Sequence, residues 1–286
     1  MPLTGNNFDF SGINIGTGSD LVFISGPCVI ESEAEVMAVA AELKRVADLF
    51  KIQLIFKSSY DKANRTSVTS FRGPGLREGL RILKTIKDEL GLRVTSDVHR
   101  IGELALAAEV LDIIQIPAFL CRQTDLLVEA ARTMLPVNIK KGQFLSPWDM
   151  RHVIEKVKSQ GNNRVMVTER GVSFGYNNLV VDIRGFEVMR AFGVPVIFDA
   201  THSVQLPGGQ DGCSGGQREF IYPLARAAVA AGVDGLFMEV HPRPDQALCD
   251  GPNSFPLDQL PYFLETIHQI HQLVNKVSSL VGADSI

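Results

Sequence analysis

Leu54-Ile55-Phe56 runs without a break into Lys57-Ser58-Ser59-Tyr60-Asp61-Lys62-Ala63-Asn64-Arg65-Thr66-Ser67, and the join between the two decides the fold. A short, wholly apolar β-forming run reads as a strand covered on both faces, as in a parallel sheet. The segment after it places three cations and five hydroxyls within eleven residues. Arg offers a planar fork of donors, Lys a point charge, and hydroxyls fill the remaining oxygen lone pairs, so this composition can hold two anionic groups side by side. A solvated basic loop is the plain alternative.

Working outward, the same pattern recurs along the chain. Eight apolar runs read as strands: Leu21 to Ser25, Leu54 to Phe56, Arg93 to Thr95, Ile113 to Ile116, Val137 to Ile139, Val165 to Val167, Val196 to Phe198 and Gly235 to Met238. Helical patterns lie between and after them, at Glu31 to Phe50, Gly75 to Leu90, Ile101 to Val110, Gln123 to Thr133, Pro147 to Ser159, Leu179 to Ala191, Arg218 to Ala231 and Leu257 to Val277. Ser32 with Glu35 three residues on marks one helix start, and Pro147 after Ser146 marks another. Eight buried strands alternating with helices predict an α/β fold, a single (β/α)8 TIM barrel occupying residues 1–286 as one domain. The competing open doubly wound sheet favours a Gly-rich dinucleotide turn after the first strand. Gly26-Pro27-Cys28 stands there instead. The residues before Leu21 are too few for a domain and are expected to cover the barrel bottom, as a hairpin turning at Gly16 to Gly18.

The 286 residues are 45% hydrophobic and 21% charged, a composition typical of globular chains, and the formal net charge of -4 creates no field for nucleic acid or an anionic membrane. Small anions suit the local cationic clusters better. No apolar run approaches the roughly 18 residues of a membrane span. Cys28, Cys121, Cys213 and Cys249 are widely spaced with no CxxC pair, and no charged-then-apolar leader precedes Gly5-Asn6-Asn7. The chain is therefore expected to be cytoplasmic and reduced, each cysteine being by default a small buried hydrophobe.

In a barrel, residues at the C-terminal ends of the strands converge on one mouth. Taken in strand order they are Cys28; Lys57 and Lys62; Asp97 and His99; Gln115; Lys140 and Gln143; Glu169 and Arg170; Asp199 and His202; Glu239 and His241. Arg65, Lys140 and Arg170 are candidate anion clamps, with structural salt bridges as the alternative. Asp61, Asp97 and Asp199 are candidate bases or orienting groups. Cys28, His202, Glu239 and Asp250 have the donor character of a site for a borderline divalent ion such as Zn²⁺, Fe²⁺, Co²⁺ or Mn²⁺. Buried thiol, pocket histidine and Asp-Gly turn are the competing readings for Cys28, His202 and Asp250. The segment Pro207-Gly-Gly-Gln-Asp-Gly-Cys-Ser-Gly-Gly216 carries five glycines and reads as a lid or a mobile loop tip.

Five motifs in order resemble the 3-deoxy-D-manno-octulosonate 8-phosphate synthase family: Lys57 to Arg65; Phe71-Arg-Gly-Pro-Gly75; Gln115-Ile-Pro-Ala-Phe119 with Arg122-Gln-Thr-Asp125; Phe174-Gly-Tyr-Asn-Asn178; and Asp199-Ala-Thr-His202. The resemblance runs from about Val22 to Leu260. It implies condensation of phosphoenolpyruvate with D-arabinose 5-phosphate and water, releasing phosphate, an early step towards lipopolysaccharide. By the same resemblance Lys57, Ser59, Lys62, Gln115, Lys140, Gln143 and Arg170 hold phosphoenolpyruvate. Asn64, Arg65 and Thr66 hold the pentose phosphate, with Arg122 reaching in from a neighbouring subunit of a homo-oligomer, usually a tetramer. Thr66 and Tyr60 stand where Ser and Phe are usual. Cys28 marks the metal-dependent class, in which Cys28, His202, Glu239 and Asp250 bind one divalent ion per subunit; no organic cofactor is implied.

On this reading the catalytic candidates are Lys62, His202, Asp250 and Cys28. Carbon 3 of phosphoenolpyruvate attacks the pentose aldehyde, water adds at carbon 2, and phosphate leaves with C-O cleavage. A heptulosonate 7-phosphate synthase using erythrose 4-phosphate is the near alternative, disfavoured by Ala63-Asn64 and by the lack of an extra regulatory domain. A phosphosugar-binding scaffold without turnover is the distant one.

Overall fold

Each apolar run becomes a strand, and most strands extend past the last apolar residue into the polar ones. A computed structural model describes residues 7–65, 67–210 and 213–281. The chain opens with β1 (Phe8–Phe10) and β2 (Ile13–Ile15), then β3 (Val22–Gly26), α1 (Glu33–Phe50), β4 (Gln53–Lys57), α2 (Leu76–Leu90), β5 (Arg93–Asp97) and α3 (Leu104–Val110). It continues through β6 (Ile113–Ile116), α4 (Thr124–Arg132), β7 (Val137–Lys140), α5 (Met150–Lys158), β8 (Val165–Glu169), β9 (Val172–Ser173), β10 (Leu179–Val180) and α6 (Arg184–Arg190). The last elements are β11 (Val196–Asp199), β12 (Gln205–Gln210), β13 (Cys213–Gly216), α7 (Ile221–Ala230), β14 (Gly235–His241), β15 (Phe255–Pro256) and α8 (Leu260–Val281).

Strands β3 to β8, then β11 and β14, pair in parallel in that order, and the β14 to β3 pairing closes the ring. Closure excludes the open sheet. The strands run on through Lys57, Asp97, Lys140, Asp199 and Glu239 because ladder bonds involve only the backbone, whatever the side chain's polarity. Side chains alternate between the two faces of each strand. Phe23, Leu54, Phe56, Val94, Ile114, Ile139, Val167, Phe198 and Met238 pack outward in the core shared with the helices. The opposite parity forms a second core of Val22, Ile24, Ile55, Ile113, Met166, Ile197 and Phe237, joined by Phe10, Ile13 and Ile15 from the hairpin. The amino-terminal hairpin thus plugs the barrel bottom, as expected.

Its turn is not at Gly16 to Gly18. Phe10 pairs with Ile13, leaving Ser11 and Gly12 as a two-residue loop with φ of 51° and 83°. Two positive φ values match the twist of a tight hairpin, and Gly at the second position adopts its value without a Cβ penalty. A second correction concerns Leu179 to Ala191, read as one helix: Leu179–Val180 pairs with β9 and the helix begins only at Arg184. Asp182 causes the delay, its carboxylate accepting from the Arg184 N–H in a local turn. Elsewhere helix starts agree within a few residues, and Ser32 caps α1 by accepting from the Glu35 N–H at 3.2 Å.

Candidate active site

Above the apolar layer the inward parity delivers polar side chains. Lys57, Asp97, Gln115, Asn138, Lys140, Thr168, Asp199 and Glu239 occupy these positions and all are buried. Each is anchored. Thr168 Oγ1 donates to Asn138 Oδ1 at 2.7 Å, Asn138 Nδ2 to Gln115 Oε1 at 3.0 Å, and Gln115 Nε2 to Asp97 Oδ1 at 2.7 Å. Ser59 Oγ donates to the other Asp97 oxygen at 2.7 Å. Lys57 Nζ pairs with Glu239 Oε1 at 2.8 Å and Lys140 Nζ with Asp199 Oδ2 at 2.7 Å. Charges this deep persist only when paired, because desolvation penalises an isolated ion heavily.

The cluster titrates accordingly. Burial would raise Asp97, but Lys57, Lys62 and Lys140 hold it well below the usual carboxylate range. Burial works the same way on Glu239, where Lys57, His202 and Lys62 prevail and bring it to about 2. For Lys57 burial works downward and is overcome by Glu239 and Asp97, so its pKa is raised. Lys140 differs: burial, reinforced by Lys57, leaves it lowered despite Asp199.

A cavity of about 480 Å³ opens over this layer, lined by Lys57, Lys62, Asn64, Arg65, Asp97, His99, Lys140, Gln143, Arg170, His202, Glu239 and Asp250 among others. Of the residues assigned to phosphoenolpyruvate, Lys57, Lys62, Lys140, Gln143 and Arg170 meet here; of those assigned to the pentose phosphate, Asn64 and Arg65 do. Several of their polar atoms are buried without a partner: Arg170 Nη1, Arg65 Nε and Gln143 Oε1. Folded proteins rarely leave such atoms unmatched, and the two arginine donors among them suit a polar, anionic ligand.

Cys28, His202, Glu239 and Asp250 also converge. Cys28 Sγ donates to Asp250 Oδ2 at 3.2 Å, while His202 Nε2 stands 3.6 Å from Glu239 Oε2 and 3.7 Å from Asp250 Oδ2. Donors sharing one ion at about 2.0–2.3 Å lie roughly 3.3–3.7 Å apart, so His202, Glu239 and Asp250 are spaced for a common cation, while Cys28 groups with Cys249 and the same Asp250 rather than directly with His202 and Glu239. The Glu239 oxygen facing His202 is buried with no partner. His202 Nδ1 lies 2.8 Å from Asp199 Oδ2, off the line of a good hydrogen bond but near enough to orient the ring and turn Nε2 to the cluster. Burial would lower His202, but Asp199 and Glu239 raise it; burial, with Cys249 and Asp250, pushes the Cys28 thiol well up. Protons thus hold positions for which a divalent ion competes. The residues fit a thiolate-imidazole-carboxylate centre.

Other expected site residues lie elsewhere. Gln115 and Ser59 are fully buried beneath the cavity, and both ends of the Gln115 amide are occupied by Asn138 and Asp97. Asp61 pairs with Arg72 at 2.5 Å outside the cavity lining. Glu169 has the outward parity, facing Lys141 at 3.3 Å and accepting from the Gly171 N–H. Arg122 is exposed and does not line the cavity of its own chain. Thr66 and the Cys213 side chain lie outside the described residues. The Gly-rich segment is a paired β12–β13 hairpin rather than an open loop, with 211 and 212 outside the described residues.

His241 faces Glu31 and Glu35 at 3.7 and 3.6 Å in a second His-carboxylate cluster. Its Nδ1 accepts from the Arg243 N–H at 3.0 Å. The neutral ring therefore carries its proton on Nε2, which leaves no lone pair there for a metal.

Two further residues complete the site. Cys249 lies with Cys28 and Asp250, and its sulfur accepts from Arg65 Nη1 at 2.7 Å. Gln205 bridges Arg170 and Asp250. The only sequence signals were adjacency to Asp250 and a place three residues after His202.

Comparison with known proteins shows the family. Residues 3–276 match the family model described as the DAHP synthetase I family. The 2-dehydro-3-deoxyphosphooctonate aldolase of Geobacter metallireducens is 63% identical over 262 residues, covering 92% of this chain and 96% of that protein. Proteins of the same name from Pelobacter propionicus and Geobacter sulfurreducens are 62% and 61% identical over 92% of the chain and 97% and 96% of their own length. The chain belongs to the DAHP synthetase I family, and it is an enzyme.

Proposed function

We propose that this member of the DAHP synthetase I family condenses phosphoenolpyruvate with D-arabinose 5-phosphate and water to give 3-deoxy-D-manno-octulosonate 8-phosphate and inorganic phosphate. The 2-dehydro-3-deoxy-octonate phosphate in the relatives' name is the same eight-carbon 2-oxo acid. The observation that carries the reading is a pair of buried, unmatched donors, Arg170 Nη1 and Arg65 Nε, on two residues that line one cavity. Two anion-binding arginines suit two phosphorylated substrates.

Lys57, Lys62, Lys140, Gln143 and Arg170 hold phosphoenolpyruvate; Asn64, Arg65 and Thr66 hold the pentose phosphate. Mutual repulsion between two polyanions is the first barrier, and the fixed cations offset it while aligning carbon 3 of one substrate with the aldehyde of the other. A new C-C bond forms, water adds at carbon 2, and the hemiketal phosphate breaks its C-O bond to release phosphate. Cys28, His202, Glu239 and Asp250 hold the divalent ion, Zn²⁺, Fe²⁺, Mn²⁺ or Co²⁺. Bound there, it supplies Lewis-acid polarisation and orientation of the aldehyde. Proton transfer falls to Lys62, to Asp250 or to water.

Arg122 acts on a neighbouring subunit's pentose phosphate, which accounts for its absence from its own cavity. Phe119, Phe144, Trp148 and Phe174 are 54%, 53%, 64% and 70% exposed on loops after β6, β7 and β8, an apolar surface suited to a second copy in a homotetramer. Among the described residues no helix is long and apolar enough to cross a membrane. The enzyme works in the cytoplasm on small molecules, early in lipopolysaccharide assembly.

The test is phosphate release from phosphoenolpyruvate with arabinose 5-phosphate or erythrose 4-phosphate, before and after chelation. Arabinose-dependent release that stops on chelation and returns with a divalent ion is expected. Preference for erythrose 4-phosphate would make the enzyme a heptulosonate synthase, release that survives metal removal would overturn the metal role, and no release with either sugar would favour a binding scaffold.

A further inference from the structure

Gln205, the first residue of β12, lines the cavity between the two halves of the site. Its Oε1 accepts from Arg170 Nη2 at 2.8 Å, and its Nε2 donates to Asp250 Oδ1 at 3.2 Å. The amide can sit only this way round, since a guanidinium has only donors and a carboxylate only acceptors. Each contact leaves a specific atom free for the site. Arg170 is held through Nη2 while Nη1 stays buried and unpartnered. Asp250 is held through Oδ1 while Oδ2 faces Cys28 at 3.2 Å and His202 at 3.7 Å. Asp250 itself sits at φ 52°, in the left-handed region that Asp adopts more readily than most non-glycine residues.

We propose that Gln205 is a positioning residue that couples the anion clamp to the metal-binding carboxylate, so that phosphoenolpyruvate and the divalent ion each strengthen binding of the other. This rests on the functional reading above. Phosphate on Arg170 fixes the guanidinium, the guanidinium fixes the amide, and the amide fixes which Asp250 oxygen is presented. A cation on Oδ2 fixes the same chain from the other end. Linkage makes the gain reciprocal.

The experiment measures Mn²⁺ binding to chelator-stripped protein, with and without phosphoenolpyruvate, in wild type, Gln205→Met and Gln205→Glu. Wild type is expected to bind Mn²⁺ about 10-fold tighter when phosphoenolpyruvate is present, within the usual range of coupling between sites. Gln205→Met, similar in length but without the amide, is expected to bind Mn²⁺ about 10-fold more weakly, as loss of an outer-sphere partner does, and to bring the coupling factor close to one. Its KM for phosphoenolpyruvate rises while kcat at saturating metal and substrate falls only a few-fold. Gln205→Glu keeps the acceptor for Arg170 and loses the donor to Asp250. It is expected to bind phosphoenolpyruvate in the metal-free protein several-fold more weakly, because the added carboxylate offsets the Arg170 charge, and to lack coupling, and it decides the matter if Gln205→Met does not fold. Wild-type coupling in either folded variant overturns the role of Gln205 alone. A wild-type protein that binds neither Mn²⁺ nor phosphoenolpyruvate overturns the functional reading and this inference together.

Discussion

The lower and upper halves of the barrel interior are lined by the same eight strands and face the same axis, yet they are built on opposite principles. Below, Val22, Ile24, Ile55, Ile113, Met166, Ile197 and Phe237 close on Phe10, Ile13 and Ile15, an apolar layer with nothing to satisfy. Above, two residues further along several of the same strands, stand Lys57, Asp199 and Glu239, and no apolar residue replaces them. The lower layer gains from every methylene removed from water. The upper layer bears a desolvation cost for each charge and recovers it only in part, since Arg170 Nη1 and Glu239 Oε2 still lack partners. The contrast teaches where the molecule stores stability and where it keeps binding capacity.

Arg170→Met should show the largest effect. Removing this clamp is expected to lower kcat/KM for phosphoenolpyruvate about 10³-fold, as loss of a strong transition-state donor does. Its melting temperature should hold or rise, because a buried charge without full pairing is gone; a large fall would mean that the upper layer is structural after all. Cys28→Ala comes next. It is expected to lose about 10²-fold in activity and not to recover when Mn²⁺ or Zn²⁺ is restored after chelation, whereas wild type does. Full activity of the chelated variant would remove the metal from the upper layer.

The lower layer is probed by Ile15→Ala, where deleting a fully buried side chain should cost about 3 kcal/mol in urea unfolding while KM values stay within two-fold. An altered KM would show that the plug and the site are not separate. The smallest effect is a pH dependence. Asp97 has its pKa lowered in the folded protein by Lys57, Lys62 and Lys140 against the opposing effect of burial, so its contribution is complete above the ordinary carboxylate pKa near 4 and fades as pH falls below it. Asp97→Asn should therefore cost about 2 kcal/mol at pH 7 and progressively less towards pH 3. A cost independent of pH would contradict that charge pairing.

Much of this is legible in the sequence, and the departures share a cause. Eight apolar runs mark eight strands because burial on both faces leaves a continuous apolar signature, and Ile113 to Ile116 agrees to the residue. Strands run past the point where polar residues begin, since composition reports burial whereas the ladder follows the backbone. Glu169 reads as a mouth residue by position, but one step of parity turns it outward to Lys141. Gln115 has the right parity and lies one layer too deep. Cys249 and Gln205 carried no usable signal, because each acts through a partner far along the chain.

The sequence by itself determined the α/β alternation, the closed barrel, the amino-terminal plug and the set of ionisable residues gathered at one mouth, because hydrophobic period and residue type are local properties that burial reads directly. Only the tertiary structure decided which atoms of those residues are engaged and which stay unmatched: Asp250 Oδ1 held by Gln205 and Oδ2 turned to Cys28, Arg170 Nη2 occupied and Nη1 not. Hydrogen bonds depend on distance and angle to within tenths of an ångström, and in a closed barrel those are set by strand registers between segments as far apart as 222 residues, which no local pattern encodes.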